Sequence, residues 1–424
     1  MAPPPPSTTE RERPLKAWPG IKKRIPAYRE EIVAMQRALT AIPALGPENG
    51  GEGEYAKALY LEKRLKDLSP TRLIRIDCPD PRVPQGVRPN LLAWFQGDDP
   101  QRTVWILSHM DIVPAGDRNL WRTDPFVLTQ KGDVLYGRGV EDNQHGIVSS
   151  YFAVKAFRDL GIRAACNMGL LLVADEETGS HKGLEYVLRR KGGLFKAQDL
   201  IIVPDAGNPE GTLIEVAEKS LLWLKITLVG KQSHGSRPDL GRNTLRGTAR
   251  MILALEELTR MFPKRDPRFD LPVSTFEPTR KEANVPNVNT IPGRDVFYLD
   301  CRILPDYPLE RVIQAAKKTA EKVAKKAGLT VKVEVVNAVQ APPPTDEKTP
   351  VVSALQQAVF AVYGQKAVPR GIGGATVAAF FRRAGLPAAV WCRSAETAHQ
   401  PNEHCRLSHL IGDAQVFAHV FCHA

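Results

Sequence analysis

The chain has 424 residues, of which 43% are hydrophobic, and it carries a formal net charge of +11. This length predicts roughly two or three domains with sizeable cores, and no apolar run reaches the ~18–20 residues that cross a membrane. The basic residues form no run interleaved with aromatic ones, so nucleic-acid binding is not indicated. We interpret the positive charge as a general aid to solubility, with attraction of anionic substrates as the alternative.

Residues 1–18 are rich in proline at first and charged afterwards, and they lack the apolar core of a secretory signal peptide. We predict a disordered or loosely attached lead-in over this segment. The six cysteines are scattered and include no Cys-x-x-Cys pair, which argues against a disulfide framework and a thiolate zinc site. Reduced cysteines in a cytoplasmic protein are the simplest interpretation.

Short apolar runs alternate with segments of helical periodicity in the first half of the chain. The periodicity predicts helices over 26–42, 54–68, 146–160 and 183–190. The apolar runs predict strands over 72–76, 90–95, 104–107, 167–174 and 200–203. Alternation of this kind is typical of an α/β fold with a doubly wound, mainly parallel sheet.

The pattern changes after about residue 219. Strands are predicted over 221–229, 273–276, 296–304 and 329–336, with helices over 244–259 and 309–326. This β-α-β-β-α-β order is that of a ferredoxin-like α+β unit. A proline-rich linker at 341–346 precedes renewed α/β signals over 351–391. We therefore predict one α/β domain from residues 19–219 and 341–424, and a smaller unit inserted at 220–340.

Polar residues follow three of the predicted buried strands. His109 comes after the strand at 104–107, Glu176 and Glu177 come after 167–174, and Asp205 closes 200–203. Ligands bind at the carboxyl ends of strands in open α/β sheets, so these side chains are expected in one crevice. Because histidine nitrogen and carboxylate oxygen are zinc ligands, the cluster predicts a metal site.

Each of these residues also has a structural interpretation when taken alone. The two glutamates could begin a solvated helix, and Asp205 could occupy a turn. Two further residues favour the metal interpretation, because Asp142 precedes a helix where a carboxylate could bridge two cations, and His399 lies on a late loop. His404 competes with His399 for this role but belongs to no motif.

The motifs around these residues resemble those of the M20 family of metallopeptidases and amidohydrolases, from about residue 21 to the C-terminus. They are Ser-His-Met-Asp at 108–111, Gly-Arg-Gly at 137–139, Asp-Glu-Glu-Thr-Gly at 175–179, Ser-His-Gly at 233–235, Asn-Thr-Ile-Pro-Gly at 289–293 and Ala-His-Gln-Pro-Asn-Glu at 398–403. That family includes acetylornithine deacetylase, succinyl-diaminopimelate desuccinylase, carboxypeptidases, aminoacylases and dipeptidases. The resemblance implies a catalytic domain interrupted by a lid, here the inserted unit, and a homodimer formed through that lid.

The resemblance also implies a set of five metal ligands for two zinc ions, with cobalt or manganese as substitutes. Asp142 would bridge the two ions. His109 and Asp205 would complete the ligands of one ion. Glu177 and His399 would complete those of the other.

Catalytic and substrate-binding roles are implied in the same way. Asp111 would orient the imidazole of His109, and Glu176 would act as general base toward a metal-bridging water. His234 in the lid would stabilise the tetrahedral oxyanion. The candidates for binding an anionic group of the substrate are Asn289, Arg302 and Thr376.

The chain departs from the family pattern at two places. Asn143 and Gln144 follow Asp142, where many members have Asp and then Lys or Met, and the bond after Asp142 could be cis as it is in the family. The glycine-rich turn at 373–376 lacks the polar groups found in desuccinylases, which argues against a succinyl-diaminopimelate specificity.

We therefore expect a dinuclear zinc hydrolase that cleaves an amide or peptide bond of an N-acyl amino acid or small peptide. The alternatives are a succinyl-diaminopimelate desuccinylase or acetylornithine deacetylase proper, or a non-catalytic binding protein on the same fold. The last of these would be expected to have lost Glu176 or a ligand, and neither is lost. The expected partners are a small-molecule or short-peptide substrate and a second copy of the chain, without nucleic acid or membrane.

Overall fold

The structure is a computed structural model that describes residues 8–424, with side chains from residue 16 onward. Its helices are α1 (Thr8–Arg24), α2 (Arg29–Thr40), α3 (Tyr55–Asp67), α4 (Gln144–Asp159), α5 (Leu184–Lys191), α6 (Thr244–Leu255), α7 (Glu257–Met261), α8 (Leu309–Ala327), α9 (Pro350–Tyr363), α10 (Ala378–Arg383) and α11 (Leu407–His423). Its strands are β1 (Arg72–Pro79), β2 (Val87–Phe95), β3 (Asp99–His109), β4 (Thr129–Lys131), β5 (Val134–Tyr136), β6 (Cys166–Val173), β7 (Leu200–Gly207), β8 (Leu213–Glu218), β9 (Ser220–Val229), β10 (Ser233–His234), β11 (Thr275–Lys281), β12 (Thr290–Ile291), β13 (Arg294–Ile303), β14 (Thr330–Val339), β15 (Val368–Ile372), β16 (Ala388–Cys392) and β17 (His404–Arg406). In this part of the chain no helix is both long and apolar enough to cross a bilayer.

The predicted lead-in at 1–18 is only partly covered, because residues 1–7 lie outside the described residues. From Thr8 the backbone forms the helix α1, which the periodicity did not predict. The last turns of α1 pack against the core of the molecule. Ile21 is fully buried, and the Trp18 ring meets the His419 ring edge-on at 4.9 Å.

The chain divides into two compact units. The first unit is Met1–Val216, Thr345–Pro369 and Thr376–Ala424, and the second is Ala217–Pro344 with Arg370–Ala375. The short segment Arg370–Ala375 was predicted to lie with the α/β domain, and the structure places it in the second unit. Its backbone explains the difference, because the Gly371 N–H donates to the Arg268 carbonyl at 2.9 Å and the Ile372 carbonyl accepts from Lys219 N–H at 3.2 Å.

The main sheet is mixed, in the order β1-β2-β6-β3-β7-β16-β8-β15. Its middle strands β6, β3, β7 and β16 are parallel, whereas β1, β2 and β8 pair antiparallel with their neighbours. Alternate side chains of a strand point to opposite faces. Val104 and Ile106 of β3 pack with α2, α3, α4, α9 and α11, and Trp105 and Leu107 pack with α5 and α10. Helices therefore cover both faces, which confirms the doubly wound α/β fold and explains the continuous apolar runs.

The second unit contains a four-stranded antiparallel sheet in the order β11-β13-β9-β14. In chain order its main elements run β9-α6-β11-β13-α8-β14, with α7 and the short β10–β12 pair added. Apolar residues at a spacing of four form one stripe along α8, and this stripe joins α6 and the sheet in a separate core. The strand β14 forms one edge of this sheet.

Candidate metal centre

The carboxyl ends of the parallel strands carry the predicted metal ligands of the first unit. His109 is the last residue of β3, and Asp205 lies near the end of β7. Glu177 lies in the 3-10 turn Glu176–Thr178 that follows β6. Asp142 precedes α4, and its peptide bond to Asn143 is cis. Because neighbouring parallel strands end at the same edge of the sheet, these loops converge there.

Asp142 stands between two histidines. Its Oδ1 lies 2.8 Å from Nε2 of His109, and its Oδ2 lies 3.0 Å from Nε2 of His399. The same His109 nitrogen is 3.4 Å from Oδ1 of Asp205, and the same His399 nitrogen is 3.1 Å from Oε2 of Glu177. Two groups of nitrogen and oxygen atoms thus share one carboxylate, with a different oxygen facing each group.

Asp111 connects His109 to the turn that carries the glutamates. Its Oδ1 lies 3.4 Å from Nδ1 of His109, and its backbone carbonyl lies 3.1 Å from the same nitrogen. The two carboxylate oxygens also accept the backbone N–H groups of Glu176 at 3.1 Å and Glu177 at 3.0 Å. Asp111 is buried, so a single carboxylate orients both the imidazole and the turn.

Burial and mutual repulsion dominate the electrostatics of the carboxylates. Burial, then repulsion from Asp142, raises the pKa of Glu177 to about 7. The pKa of Glu176 lies well above its ordinary value because of burial and the nearby Asp205 carboxylate. Hydrogen bonds with Asp142 and Glu177 raise the pKa of His399 to about 10. The crevice therefore holds more negative charge than the positive groups of its own side chains neutralise.

The donor set fits divalent metal ions. His109, Asp142 and Glu177 each offer a ligand atom, and these three atoms lie within 4.8 Å of one another. The Oε1 atom of Glu177 is buried and has no hydrogen-bond partner among the described residues, although buried polar atoms are nearly always paired. A bound cation would supply the missing partner and the missing positive charge. Mixed imidazole and carboxylate ligands are those of zinc, with cobalt and manganese as close substitutes.

Three of the predicted site residues lie in the second unit. His234 is exposed on β10, and its Nδ1 lies 2.8 Å from the Ser236 hydroxyl. Asn289 is exposed beside β12. Arg302 on β13 pairs with Asp300, its Nε lying 2.8 Å from the carboxylate.

Thr376 lies in the first unit, just before α10. Its side chain is buried, and its hydroxyl oxygen accepts the Ala378 N–H at 3.2 Å, as a residue at the start of a helix commonly does. This contact gives Thr376 a local structural role beside the substrate-binding role that the sequence suggests.

Several polar residues around the centre are not assigned any role by the sequence. Asn143 donates its amide to Oδ1 of Asp205 at 2.8 Å and to the Pro204 carbonyl at 2.6 Å. Glu403 and Arg138 form a buried ion pair with 2.6 Å between their atoms. The available signal was position, because Asn143 directly follows Asp142 and both members of the ion pair belong to quoted motifs.

Imidazole and carboxylate groups gathered at the carboxyl edge of a doubly wound sheet are suited to hold metal ions. The chain belongs to the peptidase family M20/M25/M40, whose model matches residues 105–423. This confirms the family that the motifs indicated. The chain is thus a metallohydrolase that acts on amide or peptide bonds.

Similar proteins cover most or nearly all of the chain. A metallohydrolase of Methanococcus maripaludis is 38% identical over 410 residues, which are 92% of this chain and 98% of that protein. Aminoacylase-1 of Mus musculus is 27% identical over 79% of this chain and 81% of its own length. Among solved structures, the di-peptidase Dug1p from Saccharomyces cerevisiae matches with a TM-score of 0.72 at 17% identity, covering 96% of this chain and 98% of that one.

Proposed function

We propose that the protein is a two-zinc hydrolase of N-acyl amino acids or small peptides. The observation that carries the proposal is the placement of Asp142 between His109 and His399, with a separate oxygen 2.8 Å and 3.0 Å from each. A carboxylate in this position suits a bridge between two cations. The similarity to an aminoacylase and a di-peptidase supports a short substrate that contains an amide bond.

The five side chains His109, Asp142, Glu177, Asp205 and His399 would hold the metal ions. When bound, such ions lower the pKa of water and polarise a carbonyl group. Glu176 would act as general base. It takes a proton from the attacking water and delivers it to the nitrogen of the leaving amine. Burial, then repulsion from the Asp205 carboxylate, raises the pKa of the Glu176 carboxyl, and a raised pKa makes a carboxylate a stronger base.

Most of the remaining proposed residues lie in the second unit. His234 would donate to the oxyanion that forms when the carbonyl is attacked. Asn289 and Arg302 would bind a carboxylate of the substrate, and Thr376 of the first unit would assist them. Because His234 and Asn289 are exposed on their own unit, they are available to a substrate.

We also propose that the second unit serves as a lid and as the interface of a homodimer. The support is the edge strand β14, where Val336 and Val339 are 52% and 41% exposed. An unpaired edge with apolar side chains is suited to two-fold pairing. A reducing, cytoplasmic location is proposed because all six cysteines are free and buried. Light scattering at micromolar concentration would contradict the dimer if it gave the mass of a single chain.

The Glu176→Gln variant tests the proposed mechanism. We expect turnover to fall by several orders of magnitude while zinc content, measured by elemental analysis, stays at the wild-type value. The reason is that the carboxamide cannot accept the proton of water, whereas Glu176 is not one of the five ligands. Turnover close to that of the wild type would refute the role of Glu176. The zinc-loaded wild type would be assayed with N-acetyl and N-succinyl amino acids and with dipeptides, each with and without chelator.

A further inference from the structure

Two buried carboxylates connect the loop that carries Asp142 to the loop that carries His399. The first is Glu403, which is fully buried. Its carboxylate accepts a hydrogen bond from Nη1 of Arg138 at 2.6 Å. It also accepts, at 3.0–3.1 Å, the backbone N–H groups of Gly139, Glu141 and Asp142. A residue of the His399 loop thereby fixes the backbone that positions Asp142.

The second carboxylate, Glu141, acts in the opposite direction. It is buried and accepts the hydroxyl of Ser394 at 2.8 Å and the backbone N–H of Ala395. Its other oxygen accepts the N–H of Thr397 at 2.6 Å and the Thr397 hydroxyl at 2.7 Å. A residue of the Asp142 loop thereby fixes the backbone that precedes His399.

The loop around His399 needs such support. Glu396, His399 and Asn402 have φ angles of 60°, 64° and 62°, in the left-handed region that residues other than glycine rarely adopt. Backbone conformations of this kind persist only when surrounding contacts hold them. Thr397 lies between two of these residues, and its hydroxyl oxygen also accepts the His404 N–H at 3.0 Å. The bonds from Glu141 are therefore part of what keeps His399 in place.

We propose that Glu141 and Glu403 form a reciprocal clamp that fixes Asp142 relative to His399. The clamp sets the affinity of the metal position formed by His399, Glu177 and Asp142, here called the second position. This inference rests on the proposed two-metal function. Both glutamates act as positioning residues, because neither is among the five proposed ligands. The two glutamates differ in which proposed ligands they support. Glu141 supports only the loop of His399, whereas Glu403 supports Asp142, which serves both positions.

The variants Glu141→Gln and Glu403→Gln separate these effects. Each substitution removes a charge at nearly constant volume and replaces one carboxylate oxygen with an amide N–H₂ group. Because that group cannot accept hydrogen bonds from N–H or O–H donors, about half of the hydrogen bonds to the side chain are lost. Changes beside a metal ligand typically weaken metal binding by about 10- to 100-fold. We expect Glu141→Gln to lower the affinity for cobalt at the second position by this factor and to leave the affinity at the other position unchanged. Glu403→Gln is expected to weaken both.

The measurement is a calorimetric titration of the metal-free full-length chain with cobalt, with elemental analysis after dialysis. The matched control is Glu215→Gln. Glu215 is another fully buried carboxylate paired with an arginine, Arg382 at 2.8 Å, but it lies outside both loops. Excess cobalt should restore kcat in Glu141→Gln, because the ligands themselves are intact. If Glu141→Gln does not fold, Thr397→Val removes one bond of the same clamp and should give a smaller change of the same kind.

Wild-type affinities for both ions in Glu141→Gln would overturn the proposal, as would an equal selective loss in Glu215→Gln. A wild type that binds a single ion would instead refute the two-metal function. The clamp would then be judged by amide hydrogen exchange in the metal-free chain. The N–H groups of Ala395 and Thr397 should exchange faster in Glu141→Gln than in the wild type, and unchanged exchange would refute the clamp.

Discussion

A buried ion pair beneath the metal centre allows a quantitative prediction. Arg88 and Glu54 are both fully buried, and Nε of Arg88 lies 2.5 Å from Oε2 of Glu54. Nη1 of the same arginine lies 3.6 Å from Asp175 and 3.7 Å from Asp80. Glu54 also accepts the N–H of Asp175 at 3.1 Å, directly before the turn that carries Glu176. Arg88 is thus the shared cation for three carboxylates.

The variant Arg88→Met keeps most of the side-chain volume but removes that charge. Breaking a buried pair from one side costs about 3–5 kcal/mol, because the remaining charge is left without a partner. We expect a loss of this size in the free energy of unfolding. The double variant Arg88→Met, Glu54→Leu should recover part of it, because the buried Glu54 charge is gone, while Asp175 and Asp80 still lack the arginine. Recovery should be incomplete, since the Asp175 N–H loses its acceptor at a cost of about 1–3 kcal/mol.

The assay is urea denaturation of the four members of this cycle, with the m-value compared among them. Arg237→Met is the surface control, because Arg237 and Asp239 are more than half exposed and their pair should contribute nothing measurable. A loss below about 1 kcal/mol in Arg88→Met would refute the reasoning, because a loss of that size is typical of an ion pair exposed to solvent. If the loss in the double variant equals the sum of the losses in the two single variants, the proposed coupling between Arg88 and Glu54 is refuted.

Three smaller predictions concern other parts of the molecule. Gly169→Ala should destabilise the main sheet by about 1–3 kcal/mol in thermal unfolding, because the new Cβ would lie 2.1 Å from the Trp105 ring, and an unchanged Tm would contradict the packing. Asn243→Ala should cost about 1 kcal/mol, because the Asn243 side chain accepts the Arg246 N–H at the start of α6, and Asn243→Ser should retain most of that stability. Burial lowers the pKa of His419 to about 4, so the unfolded chain, with a pKa of about 6.5, takes up the proton first as the pH falls. The free energy of unfolding should therefore fall by up to about 1.4 kcal/mol per pH unit as the pH drops from 6.5 to 4, and this group should have no effect above pH 6.5. His419→Phe should flatten that slope in denaturation curves taken at several pH values.

The sequence predicted the elements whose periodicity is strong and local. The strand over 104–107 lies inside β3 because a strand buried on both faces needs a continuous apolar run. The prediction of His109 and Asp205 as ligands rests on a related signal, since polar residues that directly follow such runs mark the edge of the sheet. In both cases a few neighbouring residues contain the whole signal.

The clamp and the segment Arg370–Ala375 could not be predicted in this way. Glu403 binds backbone N–H groups more than 260 positions away, and no local pattern records which distant loop will meet a given carboxylate. The helix α1 was missed because its residues are mostly proline and charged, and its stability comes from packing of its last turns rather than from propensity. Tertiary contacts decided all three cases.

The position of β16 has a consequence for synthesis. This strand lies in the sheet between β7 and β8, yet both neighbours precede it by the length of the entire second unit. A chain emerging from the ribosome therefore exposes the edge of β7 until residues 388–392 arrive to complete the sheet. Open strand edges template pairing with other chains, so fragments that end before β16 should aggregate. The His399 loop follows β16 directly, so His399 can join the other four proposed ligands only after β16 has been synthesised.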